Sequence, residues 1–500
     1  MSAPRTRAIR SRSRRQRALR TAAAAVSLIF GVGRPAHAAF VTIHPGPLYD
    51  PTAASGYADS YVVNVGRPVT DAGVAIGQAM WRVAGANKGF RAFRWDAADN
   101  RVDYQFLGTD PNGKSDVYPY NLRADGVAFG AVDKYVNNSP FGPRPVRWDA
   151  QGNVTELGTI GLSTFGATEG RPFALSPDGT RAAGYMSKYV GSSSRGYRAV
   201  RWDSSGNATD LGTINTDSTG MGNSYAEAIN DAGVVVGEAD RFATGDVRLG
   251  RRAVRWDTAG TLHELPNLGL DTRGSTFSEA RSINAAGIAV GDAQKFTAAG
   301  ASLGQRPARW DVQGNLTEME ILSTLPSGLG NGYALVINDA GTVIGGSVRY
   351  AADGSYKGER AVRWDAAGHI AELGNLGTDL NGLTTSAAMT LDDAGAAVGW
   401  AESYVAGVDR GRHAMYWAAD GTAVDLNSLI DPTSGWTLTE ALGISPTTAW
   451  IAGNGLFDPD GAAGPQAAYN RAFLIQVPEP ASWVVGASLV LLTARRRRER

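Results

Sequence analysis

Two short motifs recur in step along this chain, and their spacing constrains the fold more than any other feature. The first reads Ala-Val-Arg-Trp-Asp at 199–203, 253–257 and 361–365, and Ala-Phe-Arg-Trp-Asp at 92–96. Its tryptophans, Trp95, Trp148, Trp202, Trp256, Trp310, Trp364 and Trp417, lie 53 or 54 residues apart. The second is Ile229-Asn230-Asp231-Ala232-Gly233-Val234-Val235-Val236-Gly237, whose turn glycine recurs at Gly73, Gly126, Gly179, Gly233, Gly287, Gly341 and Gly395. Two motifs held in phase through seven copies define one structural unit, stacked on its neighbours to bury a continuous core.

Each unit reads as short strands. Alternating small and apolar residues lead into Asn-Asp-Ala-Gly, a turn whose glycine tolerates a left-handed backbone. Gly-Val-Val-Val-Gly follows as a buried strand. A variable loop of roughly a dozen residues or more then precedes Arg-Ala-Val-Arg-Trp, a strand that alternates faces. Asp-x-x-Gly-Asn makes a hairpin turn. A last strand carries Glu-Leu-Gly, as in Glu156-Leu157-Gly158 and Glu372-Leu373-Gly374. No segment shows a 3.6-residue apolar period. The 63 glycines fit a chain of many strands and turns. The fold class expected is all-β: a β-propeller of four-stranded blades.

Residues 39–476 hold just over eight periods. The eighth unit is degraded: Ile444-Ser445-Pro446 stands for the turn, Trp450-Ile451-Ala452-Gly453 for the buried strand, and Arg471-Ala472-Phe473-Leu474-Ile475 for the tryptophan strand. It lacks a fourth strand, and Phe40-Val41-Thr42-Ile43, ahead of the first turn, can supply one. Eight blades closed by the two ends of the chain is the expectation. Seven blades with an appendage is the alternative.

The ends read as addresses. Residues 1–38 carry nine arginines and no acid, then an apolar stretch from Ala22 to about Val32, then Ala36-His37-Ala38. Small residues at these positions fit a signal-peptidase site, with cleavage between Ala38 and Ala39. At the other end, Val477-Pro478-Glu479-Pro480 precedes an apolar run from Ala481 to Ala494 and the basic stop Arg495, Arg496, Arg497 and Arg498. That run is short for a membrane span, which takes about 20 apolar residues. Three segments result: a signal peptide (1–38), the repeat body (39–476) and a C-terminal hydrophobic helix with its flanks (477–500).

The tail resembles the PEP-CTERM sorting signal of Gram-negative bacteria. The resemblance implies recognition by an exosortase-type membrane protease, cleavage near the motif, and delivery to the cell surface or an exopolysaccharide matrix. It places the chain in the membrane only through the tail, before processing. The repeats are similar to HAF extracellular repeats, with Arg-Ala-Val where those begin His-Ala-Phe and only His413-Ala414 keeping the histidine. That resemblance implies the fold and no chemistry.

Charge and composition exclude several functions. The formal charge is zero. Without the arginines of residues 1–38, and the five arginines and two glutamates of residues 477–500, 34 basic and 46 acidic residues remain in the body. A body carrying about −12 is ill suited to nucleic acid, whose binding depends on phosphate neutralisation. The absence of cysteine removes disulfides, thiol catalysis and thiolate metal sites.

The repeating tryptophans read as inter-blade core, and the arginine before six of them (Arg94, Arg147, Arg201, Arg255, Arg309 and Arg363) as a structural partner of the next strand or blade. Asp110, Asn112 and Asp116 place oxygen ligands at alternate positions, a faint echo of a calcium loop without its terminal glutamate. Asx turns account equally for the aspartates recurring at Asp110, Asp217, Asp271 and Asp379. No cofactor is otherwise indicated. Gly300-Ala301-Ser302-Leu303-Gly304 has the letters of a nucleophile elbow but not its strand–helix setting. His44, His263, His369 and His413 show no metal-ligand spacing. With no unique polar cluster in view, the expectation is a non-catalytic binding or structural propeller, not an enzyme. The alternative is an extracellular propeller enzyme acting on glycans.

Overall fold

Alternation of buried and half-exposed residues folds each repeat into one twisted antiparallel sheet. The structure, a computed structural model, describes residues 40–48, 59–63, 66–461, 464 and 466–478. They form eight four-stranded sheets, the blades of an eight-bladed β-propeller. The seven-blade alternative is therefore excluded. The signal peptide, Ala38 and Ala39, and the tail from Glu479 through Pro480 to Arg495–Arg498 lie outside the described residues.

Blade 4 shows the pattern. Its strands run Ser224–Ile229, Val235–Ala243, Val247–Trp256 and Leu262–Glu264, from the axis outward. The inner strands of neighbouring blades lie side by side around the axis. The segment expected to be a variable loop is mostly strand: the second and third strands extend into a long hairpin with a short turn at Thr244–Asp246. Its polar composition hid it, since this outer stretch of the blade buries little apolar surface.

The inner strands of blades 2 to 8 carry a bulge, in blade 4 between Ala226 and Ala228. The second glycine of Gly-Val-Val-Val-Gly lies against it. A Cβ at Gly237 would run into the carbonyl oxygen of Tyr225, and the equivalent glycines face the same obstacle in the other blades. That close approach explains why glycine ends the motif.

All seven repeat tryptophans are at most 1% exposed. Each sits in the wedge between its own blade and the preceding one, with Trp256, for example, packed on Ala183 and Ala199. Most donate their indole N–H backwards. Trp148 Nε1 reaches the carbonyl of Gln105 at 2.8 Å, Trp202 that of Gly158 at 2.9 Å, and Trp417 that of Gly374 at 2.7 Å. The preceding arginine reaches forwards to main-chain oxygens: Arg94 to Ala150 at 2.6 Å, Arg255 to Val312 at 2.8 Å, Arg363 to Ala419 at 2.9 Å. Its partners are turn carbonyls of the next blade, not acids.

The ring closes as the count required. Trp436–Ile444, Trp450–Phe457 and Tyr469–Gln476 form the last blade, and His44–Pro45 adds its outer strand, pairing His44 with Leu474 and Pro45 with Phe473. The paired residues fall just after the 40–43 segment expected. Those earlier residues contribute differently, through a Val41 N–H to Leu429 carbonyl bond of 2.9 Å and the packing of Val41 and Ile43 on the last blade. Trp95 of blade 1 donates to the His44 carbonyl at 3.3 Å, the partner its repeat position demands. On the turn face, Asp71 accepts from Thr447 N–H at 2.8 Å, as Asp231 accepts from Asp178 N–H at 2.7 Å between blades 3 and 4. Val477, the first residue of the sorting motif, is buried and donates to the Ala449 carbonyl at 3.1 Å; Pro478 follows as the last described residue.

Candidate functional site

In blades 2 to 7 the inner strand turns two side chains away from the tryptophan wedge and toward the axis. Alignment on the Asn-Asp-x-Gly turn gives Tyr118 and Tyr120 in blade 2, Arg171 and Phe173 in blade 3, and Tyr225 and Glu227 in blade 4. Blades 5, 6 and 7 carry Glu279 and Arg281, Tyr333 and Leu335, and Ala387 and Met389. The cross-strand neighbour on the second strand varies in parallel: Tyr185, Glu238, Asp292, Gly346 and Trp400 for blades 3 to 7. The repeat is uniform in its wedges and non-uniform here. Charge gathers on blades 4 and 5.

In blade 4, Glu238 is 4% exposed and ion-paired through one oxygen to Arg251, while its other oxygen, Oε2, is buried without a hydrogen-bond partner. Asp240, two residues on, takes Arg248 at 2.5 Å and the Asn223 amide at 2.8 Å. In blade 5, Arg281 bridges Asp292 at 2.8 Å and Glu279 at 3.1 Å. Asp292 also accepts from Gln305. In blade 6, Tyr333 donates to Glu359 at 2.6 Å.

Burial dominates the titration of this cluster. Desolvation pushes Glu238 up to about 7, against the pull of Arg251, with Glu227 adding to the rise. Desolvation likewise pushes Glu279 up to about 8, opposed by Arg281 and reinforced by Glu238 and Glu227. Glu227 is raised for the same first reason. The cluster therefore offers a carboxylic acid that holds its proton at neutral pH beside one that titrates there, the pairing acid–base catalysis uses.

Aromatic rings continue the row. Tyr120, Phe173, Tyr185, Tyr197 and Tyr225 form an unbroken chain, with centroids 5.3 Å apart for Tyr120–Phe173, 5.4 Å for Phe173–Tyr185, 4.9 Å for Tyr185–Tyr197 and 5.3 Å for Tyr185–Tyr225. Arg251 lies 5.0 Å over the Tyr225 ring, so the chain ends on the ion pair of Glu238. Two clefts open at the hairpin face. One, of about 300 Å³ between blades 2 and 3, is lined by Phe141, Glu169, Ser187, Tyr189 and Tyr197; the other, of about 440 Å³ between blades 4 and 5, by Arg248, Arg251, Phe277, Gln294 and Phe296.

The residues singled out from sequence are not brought together. Trp95, Trp148, Trp202, Trp256, Trp310, Trp364 and Trp417 lie in separate wedges. Asp110 accepts the amides of Asn112 at 2.8 Å and Lys114 at 2.7 Å, and these bonds hold its carboxyl below the usual range. Asp116 accepts from Phe90 N–H at 2.8 Å. Asp217 and Asp379 cap their loops in the same way. Among the described residues no group of three acids or histidines is placed to hold a metal ion. Ser302 begins a hairpin strand. His263 and His369 face the turn aspartates Asp257 and Asp365, and His413 contacts Asp425 at 2.7 Å.

No family model and no curated protein matches the chain. Some solved structures align with it at low likeness. The β-propeller domain of the Trilobed protease from Pyrococcus furiosus aligns at 12% identity and TM-score 0.39 over 75% of this chain and 100% of that one. Puromycin hydrolase aligns at 14% and 0.41 over 85% and 64%, and the GH74 xyloglucanase from Xanthomonas campestris at 13% and 0.37 over 86% and 70%. Likeness at this level assigns no activity. The expectation of a non-catalytic propeller, and of no enzyme, is nonetheless corrected. It rested on a lack of any unique polar cluster, and blades 4 and 5 carry one. The chain is thus an eight-bladed propeller with a charged, symmetry-breaking cluster on its inner strands.

Proposed function

We propose that this propeller is a glycan-cleaving enzyme whose reaction centre is the axis-facing cluster of blades 4 and 5. The observation that carries the reading is the pair Glu238 and Glu279 on adjacent blades, both held protonated beyond the ordinary carboxylate range by burial. Glu279 gives its proton to the oxygen of the departing sugar as the glycosidic C–O bond breaks. Glu238, in its ionised fraction near neutrality, takes a proton from the water whose oxygen bonds to the anomeric carbon. Arg251 and Arg281 hold the two carboxyls in place.

The address-like ends support the setting. The signal-peptide pattern and the tail's resemblance to PEP-CTERM signals suit an exported Gram-negative protein, processed by an exosortase-type protease and working on exopolysaccharide at or beyond the cell surface.

The test is release of reducing ends from a panel of bacterial and plant polysaccharides by the 39–476 fragment. Glu279→Gln should lower kcat by about 10²–10⁴-fold, the usual contribution of a positioned acid, with the fold intact by circular dichroism. No release by the wild type from any panel member, or full activity in the variant, would sink the assignment.

A further inference from the structure

We infer that the aromatic chain of blades 2 to 4 is a binding rail for a neutral glycan chain, feeding the reaction centre. The inference deepens the enzymatic reading and rests on it for direction only. Three observations carry it. First, the five rings touch in series and, apart from buried Tyr120, are half-buried, not fully enclosed. Repeat packing alone does not require them: the inner-strand positions of Tyr120, Phe173 and Tyr225 hold Leu335 in blade 6 and Ala387 and Met389 in blade 7, and the position of Tyr185 holds Gly346 in blade 6. Second, hydrogen-bonding groups stand beside the rings. Tyr197 donates to Glu169 Oε2 at 3.2 Å, Arg171 donates to the Tyr120 hydroxyl at 2.8 Å, and Glu169 and Ser187 line the cleft of about 300 Å³ that Tyr197 also borders. Ring faces for the C–H face of a pyranose, with a carboxylate and hydroxyls for its edge, are the chemistry of sugar recognition. Third, the chain runs up to the charged cluster: it ends at Tyr225, whose ring faces Arg251 at 5.0 Å, the ion-pair partner of Glu238.

The arginines favour a neutral polymer. Arg251 and Arg281 are already ion-paired to Glu238, Glu279 and Asp292, and Arg248 to Asp240. Arg171, beside the rings, faces Glu169 at 3.8 Å, so the cations next to the rail are each matched by an acid.

Calorimetric titration of the 39–476 fragment with cellohexaose, laminarihexaose, xylohexaose and a galacturonate hexamer tests this, using Glu279→Gln to prevent turnover. At least one neutral hexasaccharide should bind, at least tenfold more tightly than its monosaccharide, and more tightly than the galacturonate. Tyr185→Ala and Tyr197→Ala should each weaken it about tenfold, the effect of one lost stacking partner. Tyr185→Phe should retain affinity, which separates lost stacking from misfolding. Unchanged affinity in both alanine variants, preference for galacturonate, or no binding to any neutral hexamer overturns the rail. Binding by the wild type without release of reducing ends leaves the rail standing and removes the catalytic assignment, so the two fail separately.

Discussion

Deleting residues 40–46 removes the one outer strand that comes from the far end of the chain. The loss can be worked from the structure. It includes the pairing of His44 and Pro45 with Leu474 and Phe473, the Val41–Leu429 bond of 2.9 Å and the Gly46–Ala472 bond of 2.7 Å. The Trp95 indole loses its acceptor on His44, and Arg471 loses the Gly46 carbonyl at 3.2 Å. At about 0.5–1.5 kcal/mol per bond, with about 1–2 kcal/mol more for partly burying Val41 and Ile43, the total is about 5 kcal/mol. A body of about 440 residues unfolds with an entropy of about 0.9 kcal/mol/K, so the melting temperature should drop by about 5 °C. Differential scanning calorimetry of the 39–476 and 47–476 fragments measures this. His44→Ala, which keeps the backbone, should cost less. A melting temperature that moves by less than about 1 °C on deletion would mean the ring does not depend on this strand, and the closure argument fails.

Stability should also fall as pH rises from about 5 to about 9. Glu238 and Glu279 bind their protons more tightly folded, near 7 and 8, than unfolded near 4.5, so the unfolded state sheds protons first and gains on the folded one. Their penalty is absent below the unfolded value and complete only above about 8, where it is of order a few kcal/mol. The double variant E238Q/E279Q should flatten the melting temperature across that range relative to wild type; equal slopes would show that these groups are not desolvated. Mass spectrometry of protein recovered from a Gram-negative host with an exosortase should find a mature N-terminus at Ala39 and a C-terminus near Pro478. Recovery with residues 1–38 still attached would refute the export reading.

The architecture was legible because it is written redundantly. Seven tryptophans and seven turn glycines share one period, and a wedge between blades admits only a narrow range of residues. Ring closure was legible from arithmetic alone, as a final unit short of one strand beside a spare segment at the start. The long hairpins were not. Val247–Trp256 buries apolar residues only over its second half, and its first half, Val-Arg-Leu-Gly-Arg, reads like a loop. The charged cluster escaped for the opposite reason. It sits inside the most regular part of the repeat, at two alternating positions of the inner strand, where the shared motif draws attention to what does not change. Alignment of those two positions across the blades, Tyr225 and Glu227 against Glu279 and Arg281 against Ala387 and Met389, is the signal that exposes it.

This division follows from how a blade is loaded. Its tryptophan face supports the neighbouring blade, and its arginines tie the turns of the next one, so a change there is felt around the ring. The axis-facing positions carry less of the ring, and accept aromatic, charged, small and apolar residues in different blades. Blade 7 fills them with Ala387 and Met389, blade 5 with Glu279 and Arg281, and the strands around them keep the same register. A buried carboxyl is costly anywhere, yet here its cost is confined to one blade interface and is partly offset by an arginine one strand or two residues away. Blades 4 and 5 can thus bury Glu227, Glu238 and Glu279, each shifted upward by desolvation, without disturbing Trp256 or Trp310 behind them, each fully buried in its wedge. The regularity that first argued against a site is what allows one to be built at positions that carry little of the fold.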